Sequence, residues 1–323
     1  MQAAVLWTLQ AKAMRHLIVS ADDFGYTQGV NRGILHAYRQ GIVSSTSLLA
    51  NGAAFEDAVA LSRQEPGLDV GCHLNFVEGN PLSPTNQISH LVSPQGRFAG
   101  AARLARRLLL GSIPAAELER EARAQIERLL QAGVRPTHLD THKHTHAHPR
   151  VASAVARVAR EFDILWIRRP FENAAPPGIG RFGERFGLRR IAMGFLNRLA
   201  PAFERSTAAQ QARMPDHFTG FLLTGRLTRA ALVATLTALQ PGITELMCHP
   251  GYCDRELERS PTHLKRERET ELAAVADSGL RSQLAEQGIV LTSFRDLAEK
   301  PATGNSWLAN PFPAAGTSGW SLT

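Results

Sequence analysis

The stretch Arg135-Pro-Thr-His-Leu-Asp-Thr-His-Lys-His-Thr-His-Ala-His-Pro149 carries His138, Asp140, His142, His144, His146 and His148 at every second position. On an extended backbone all six side chains fall on one face, because successive residues of a strand alternate. A solvated strand face is normally built from Lys, Glu and Thr. This much imidazole points instead to metal binding, since imidazole is the commonest nitrogen ligand and a carboxylate lies in the same run. Residues two apart on a strand are ~6.6 Å from each other, too far for one strand to wrap an ion. Other strands must supply the remaining ligands.

Three further stretches qualify. Asp22 and Asp23 close the apolar run His16-Leu-Ile-Val-Ser20. Adjacent acids on an extended backbone point apart, which gives them different jobs: one to bind a cation, the other to work beside it as a base. Taken alone, the pair reads equally as a turn or a helix N-cap ahead of Gln28. His73 lies in Gly71-Cys-His-Leu-Asn75, where Gly71 permits close backbone approach, and His249 precedes Pro250-Gly251. Singly, each reads as a hydrogen-bonded core histidine or a turn. Their joint occurrence with the acid pair and the Asp-x-His run changes that reading. Two His and one Asp make a ligand set that leaves positions open for water and substrate, and such an ion acidifies water and polarises a carbonyl. This is hydrolase chemistry.

The elements that must position these residues alternate. Short β-prone runs at 16–20, 44–50, 68–76, 138–142, 164–170, 216–222, 242–251 and 288–292 are separated by amphipathic stretches such as Gln28–Gln40 and Pro114–Ala132. About eight strands separated by helices predict a parallel sheet covered by helices. Asp22, Asp23, His73, Asp140, His142, Arg168 and His249 all fall near the carboxyl ends of different strands. An open sheet concentrates its site at one switch point, whereas convergence of many strand ends is the barrel arrangement. The expected fold is α/β, a distorted TIM-like (β/α) barrel forming a single domain over 15–298. Residues 1–14 read as an N-terminal extension and 299–323 as a flexible tail. Pro/Gly-rich excursions at 77–100 and 172–187 read as loops over the mouth.

The chain has 323 residues, 44% hydrophobic and 20% charged, with 36 Lys and Arg against 29 Asp and Glu for a net charge of +7. The excess cation admits a nucleic-acid-binding protein as a reading from another class. Arg is spread along helices among acids, however, without a basic stripe interleaved with aromatics, so no nucleic-acid partner is expected. Cys72, Cys248 and Cys253 form no CxxC pair; a reducing, cytoplasmic setting is expected. No run approaches the ~20 apolar residues of a membrane span. A homodimer is the default oligomer.

Ala21-Asp-Asp-Phe-Gly25, Gly71-Cys-His-Leu74, Thr137-His-Leu-Asp-Thr-His142 with the trailing His-x-His, and Met247-Cys-His-Pro250 together resemble the ChbG/YdjC-like carbohydrate deacetylase family, including its hopanoid-biosynthesis-associated branch. The resemblance spans roughly 15–298. It implies a barrel-like α/β domain that removes an acetyl group from an N-acetylated amino sugar, free or lipid-linked. By resemblance, Asp23, His73 and His142 are the metal ligands, Asp22 the general base and His249 the general acid. One divalent ion is implied, zinc or magnesium ahead of manganese or nickel. Lys143 departs from the family, where His or Gln is frequent. Asp140 is expected to buttress an imidazole, that of His142 in its own run. Arg168 is expected to orient Asp22, touch the sugar or form a surface salt bridge, and His144 to stand behind a ligand or beside substrate. The rival enzyme is a metal-dependent phosphoesterase, which usually needs two or three metals and more acids.

Overall fold

The computed structural model describes residues 14–172 and 183–299. The expected extension at 1–14 and tail at 299–323 therefore lie outside the described residues, apart from Met14 and Glu299.

Among the described residues eight strands form one sheet: β1 (Arg15–Phe24), β2 (Ser45–Leu48), β3 (Asp69–Leu74), β4 (His138–Thr141), β5 (Trp166–Ile167), β6 (His217–Thr219), β7 (Gly242–Cys248) and β8 (Ile289–Leu291). Their order is β5-β4-β3-β2-β1-β7-β6, with β8 on β1, and every pair is parallel. Along β1, β7 occupies one edge; the other is shared by β8, beside Arg15–Leu17, and β2, from Ser20 onward. The sheet curls until the backbone of Arg213, ahead of β6, bonds to Leu165 and Ile167 at β5. This is the distorted TIM-like barrel, and its eight strands match the eight apolar runs of the sequence.

Helices follow most strands for ordinary reasons. Thr27 caps α1 (Gln28–Gln40) by accepting from the Val30 amide, and Pro149 opens the helix after β4 at its first turn, where its missing N–H costs nothing. Of the insertion expected at 172–187, residues 173–182 lie outside the described residues, and a helix runs from Gly183 to Asn197.

The period of two along each strand sorts the side chains. Leu17, Val19 and Ala21 join the main core under the helices, whereas Ile18 packs with Trp166 and Phe294 inside the barrel. Ser20 and Asp22, two and four residues on, face that same interior. So do Ser45 and Ser47 of β2, Gly71 and His73 of β3, His138 and Asp140 of β4, and Ile243 and Glu245 of β7. The amino end of the barrel is thus plugged by apolar and aromatic groups, including His138 stacked on Phe294 at 4.0 Å. The cluster of interior charges that includes Asp22, His73, Asp140 and Arg168 lies toward its carboxyl end.

Candidate metal centre

β1 does not stay extended through its two acids. Its register on β2 runs Ala21↔Thr46 and then Phe24↔Leu48, so Asp22 and Asp23 stand against one residue, Ser47. This is a bulge, and Asp23 takes φ 71°, in the left-handed region. Both carboxylates therefore enter the mouth, correcting the expectation of opposite directions. Their partners differ all the same.

Asp22 is gripped by Arg168, whose Nη1 and Nη2 each lie 2.7 Å from one of its oxygens. Arg168 also forms an ion pair with Asp140 Oδ2 at 2.6 Å and donates to Glu245 Oε1 at 2.9 Å and Ser20 Oγ at 3.3 Å. All of these groups are buried. Of the roles expected for Arg168, orienting Asp22 is the one its geometry fits; a surface salt bridge is excluded. Burial pushes the Asp22 carboxyl up against the pull of Arg168. For Asp140, burial is outweighed by Arg168 and His73, which hold it well below the usual carboxylate range.

Asp23 faces two imidazoles. Its Oδ1 lies 3.1 Å from His142 Nδ1 and 3.5 Å from His73 Nε2, and those two nitrogens are 3.3 Å apart. The far nitrogen of each ring has a carboxylate: His73 Nδ1 lies 2.8 Å from Asp140 Oδ1, and His142 Nε2 lies 3.2 Å from Glu78 Oε2. In neutral rings the proton belongs on those outer nitrogens, which leaves lone pairs on His73 Nε2 and His142 Nδ1 aimed at the same point. Asp23 Oδ1 is buried and has no well-aligned hydrogen bond. Left unprotonated, the three atoms at 3.1–3.5 Å repel one another, so the cluster calls for positive charge, a proton or a metal ion, between them. Their spacing is that of ligands ~2.0–2.2 Å from a shared ion. Residues and group fit.

The electrostatics agree. Burial would lower the His142 and raise the Asp23 pKa, yet Asp23 and Glu78 push His142 up to about 9, and Arg268 followed by His142 holds Asp23 well below its usual value. His73 is likewise raised by Asp140 against its burial. The pocket favours positive charge.

A second set, Asp22, His73 and Asp140, also lies within ligand distance. The Arg168 guanidinium stands between those two acids, 2.6–2.7 Å from each, and takes the place a second ion would need.

The remaining expected residues distribute as follows. Asp140 supports His73 rather than His142; the support of His142 is Glu78, which the sequence reading missed. The histidine run is extended only through Thr141, since Lys143 and His144 adopt left-handed backbone at φ 56° and 51° and turn the chain. His144 packs edge-on against Phe218 and Phe221 and lines the cavity. His146 is buried between Thr141 Oγ1 and the Arg168 carbonyl, and His148 caps the helix that begins at Pro149. His249 lines the cavity too; its backbone N–H donates to Glu271 Oε2 at 2.6 Å. Burial, reinforced by nearby cations, pushes its pKa down to about 3. Arg268 and Glu271 were also missed.

Asp22, Asp23, His73, Glu78, His142 and His249 border one cavity of about 440 Å³. A larger hollow of about 620 Å³ lies elsewhere, lined by Phe55, Glu56, Arg63 and Arg128, and holds no comparable cluster of donors.

A family model described as YdjC-like protein matches residues 16–286. The chain belongs to the YdjC-like family. Similar proteins bear the name carbohydrate deacetylase: one from Brevibacillus brevis is 34% identical over 281 residues, covering 87% of this chain and 99% of that protein. One from Geobacillus stearothermophilus is 32% identical, covering 87% and 98%, and one from Mus musculus 31% identical, covering 89% and 97%. A crystal structure of a candidate cellobiose-phosphate cleavage protein from Enterococcus faecalis superposes with a TM-score of 0.71 at 23% identity, covering 88% of this chain and 99% of that one. That likeness bears on the fold, and it is the fold of this YdjC-like chain. Among the described residues no helix is long and apolar enough to cross a membrane.

Proposed function

We propose that this YdjC-like chain is a carbohydrate deacetylase that hydrolyses the acetamide of an N-acetylated amino sugar with the help of one divalent cation. The observation that carries the reading is the convergence of three potential ligand atoms, Asp23 Oδ1, His73 Nε2 and His142 Nδ1, beside Asp22 and His249 in one cavity. The name shared by its relatives supports the sugar. An ion held by the three donors would supply an acidified water and a polarised acyl carbonyl. Two imidazoles and one carboxylate favour zinc, with magnesium, manganese or nickel as further candidates.

Asp22 is the base. Burial makes its carboxylate hold a proton better than a solvated acid would, against the pull of Arg168, which suits it to take one from water. His249 is the acid. It is neutral at rest, so it first takes a proton from solvent water and then passes that proton to the departing nitrogen. An amide leaves poorly without that proton. Phe221 and Leu264 offer apolar surface to the face of a sugar ring. The cavity volume falls in the ~300–1,000 Å³ range of small-molecule sites.

Acetate release from N-acetylglucosamine oligomers, measured with bound metal, tests the reading, and a glycolipid substrate run in parallel separates free from lipid-linked sugar. A pure protein that neither holds nor responds to any divalent ion sinks it.

A further inference from the structure

The helix from Glu267 to Val275 reaches the metal centre through a residue with no assigned part, Arg268. Its side chain is fully buried, and its Nη2 lies 2.5 Å from Asp23 Oδ2. The guanidinium is fixed on several sides. Its Nε donates to the Leu264 carbonyl at 3.2 Å, its carbon sits 5.7 Å from the centre of the Tyr26 ring, and a Cβ on Gly251 would come within 3.3 Å of its Cδ. Asp23 is itself held in left-handed backbone. Its two oxygens thus have separate fates: Oδ2 accepts from Arg268, and Oδ1 turns to His73 and His142 without a well-aligned hydrogen bond.

We infer that Arg268 is a positioning residue that keeps Asp23 a one-oxygen ligand. A free carboxylate can bind a cation through both oxygens. Here a cation approaching Oδ2 would meet the guanidinium charge at hydrogen-bond distance, so only Oδ1 is open. Two consequences follow. The ion gains one ligand oxygen instead of two, leaving an additional position for water or substrate. The charge of Asp23 is also balanced from behind, so the ion keeps more of its own charge for polarising what binds opposite. The inference rests on Asp23, His73 and His142 as the donor set.

Cobalt(II) serves as the probe because its visible absorption weakens as coordination number rises. The full-length protein, stripped and reloaded with cobalt, is compared with Arg268→Lys, which keeps the charge, and Arg268→Gln, which removes it. Arg268→Gln is expected to lose visible intensity as Oδ2 joins the ion, and Arg268→Lys to remain near the wild type. X-ray absorption on the zinc-loaded wild type needs no variant to fold; it is expected to lack the short metal–carbon distance of a chelating carboxylate. A chelating signature in the wild type, or identical cobalt spectra for wild type and a folded Arg268→Gln, overturns the inference. A wild type that takes up no cobalt overturns the donor set instead, and absence of acetate release with normal cobalt uptake overturns only the deacetylase reading.

Discussion

Arg168 and Asp22 meet as two parallel forks, each guanidinium nitrogen 2.7 Å from its own carboxylate oxygen and both side chains buried. A bidentate pair of this kind fixes the carboxylate plane as well as its position. Replacing one oxygen by an amide, as in Asp22→Asn, turns a donor against a donor. We expect Asp22→Asn to lower kcat by ~10²–10⁴-fold and to destabilise the fold by about 1–3 kcal/mol, with metal content unchanged. Steady-state acetate release, metal analysis and urea unfolding check the three parts; full turnover by the metal-loaded variant would rule out Asp22 as the base.

Removing the other fork has a different signature. Arg168 compensates Asp22, Asp140 and Glu245 together, so Arg168→Gln leaves buried carboxylates without a cation, a change that costs about 3–5 kcal/mol. Burial already raises Glu245 to about 7 with Arg168 in place. Without it the buried acids hold protons that the unfolded chain releases, so stability falls as pH rises. The deficit in Tm relative to wild type is therefore expected to be larger at pH 8 than at pH 6. A pH-independent deficit would mean that lost packing, not uncompensated charge, dominates.

The contrast between Arg168 and Arg268 explains what the sequence made legible. Strand ends were readable because short apolar runs stop at Asp22, His73 and His249, and the period of two then assigns Asp140 and Arg168 to the barrel interior with no further information. Arg268 and Glu271 were not readable. They sit in a helix whose charged residues look solvated, and only the docking of that helix against the helices Gln28–Gln40 and Arg229–Thr237 buries them. Glu78 was hidden in the same way, in a loop whose path depends on the side chains of Asn51 and Asn75. The histidine tract misled for a backbone reason. Nothing in Lys143 or His144 announces left-handed conformation, which non-glycine residues adopt only when their surroundings impose it.

A single ion per chain is expected, because Arg168 fills the second acid pair. Chelation should abolish acetate release, and at an ion concentration 100 times Kd the fold should gain about 2.7 kcal/mol. Glu78→Ala removes the acceptor that fixes the His142 tautomer. Because Glu78 is partly exposed, the variant should fold and bind the ion ~10–100-fold more weakly. Titration calorimetry measures both stoichiometry and affinity; two ions per chain would revive the phosphoesterase reading.

His138 and His146 predict how the metal-free protein responds to acid. The His138 ring lies on Phe294 and over Gly71, where an added Cβ would approach it to 2.4 Å, and His146 is enclosed by Thr141 and the Arg168 carbonyl. Burial pushes their pKa values down to about 4 and about 3. Both rings therefore stay neutral in the fold while the unfolded chain binds protons from about pH 6.5 downward. The unfolded state gains protons first, so stability declines as pH drops below that value, with each imidazole contributing a slope of up to ~1.4 kcal/mol per pH unit. Urea unfolding in excess chelator at pH 7, 6 and 5 measures the slope, and His146→Gln should flatten it. A variant with the wild-type slope would show that His146 titrates normally in the fold, and its neutral bridge between Thr141 and Arg168 would have to be abandoned.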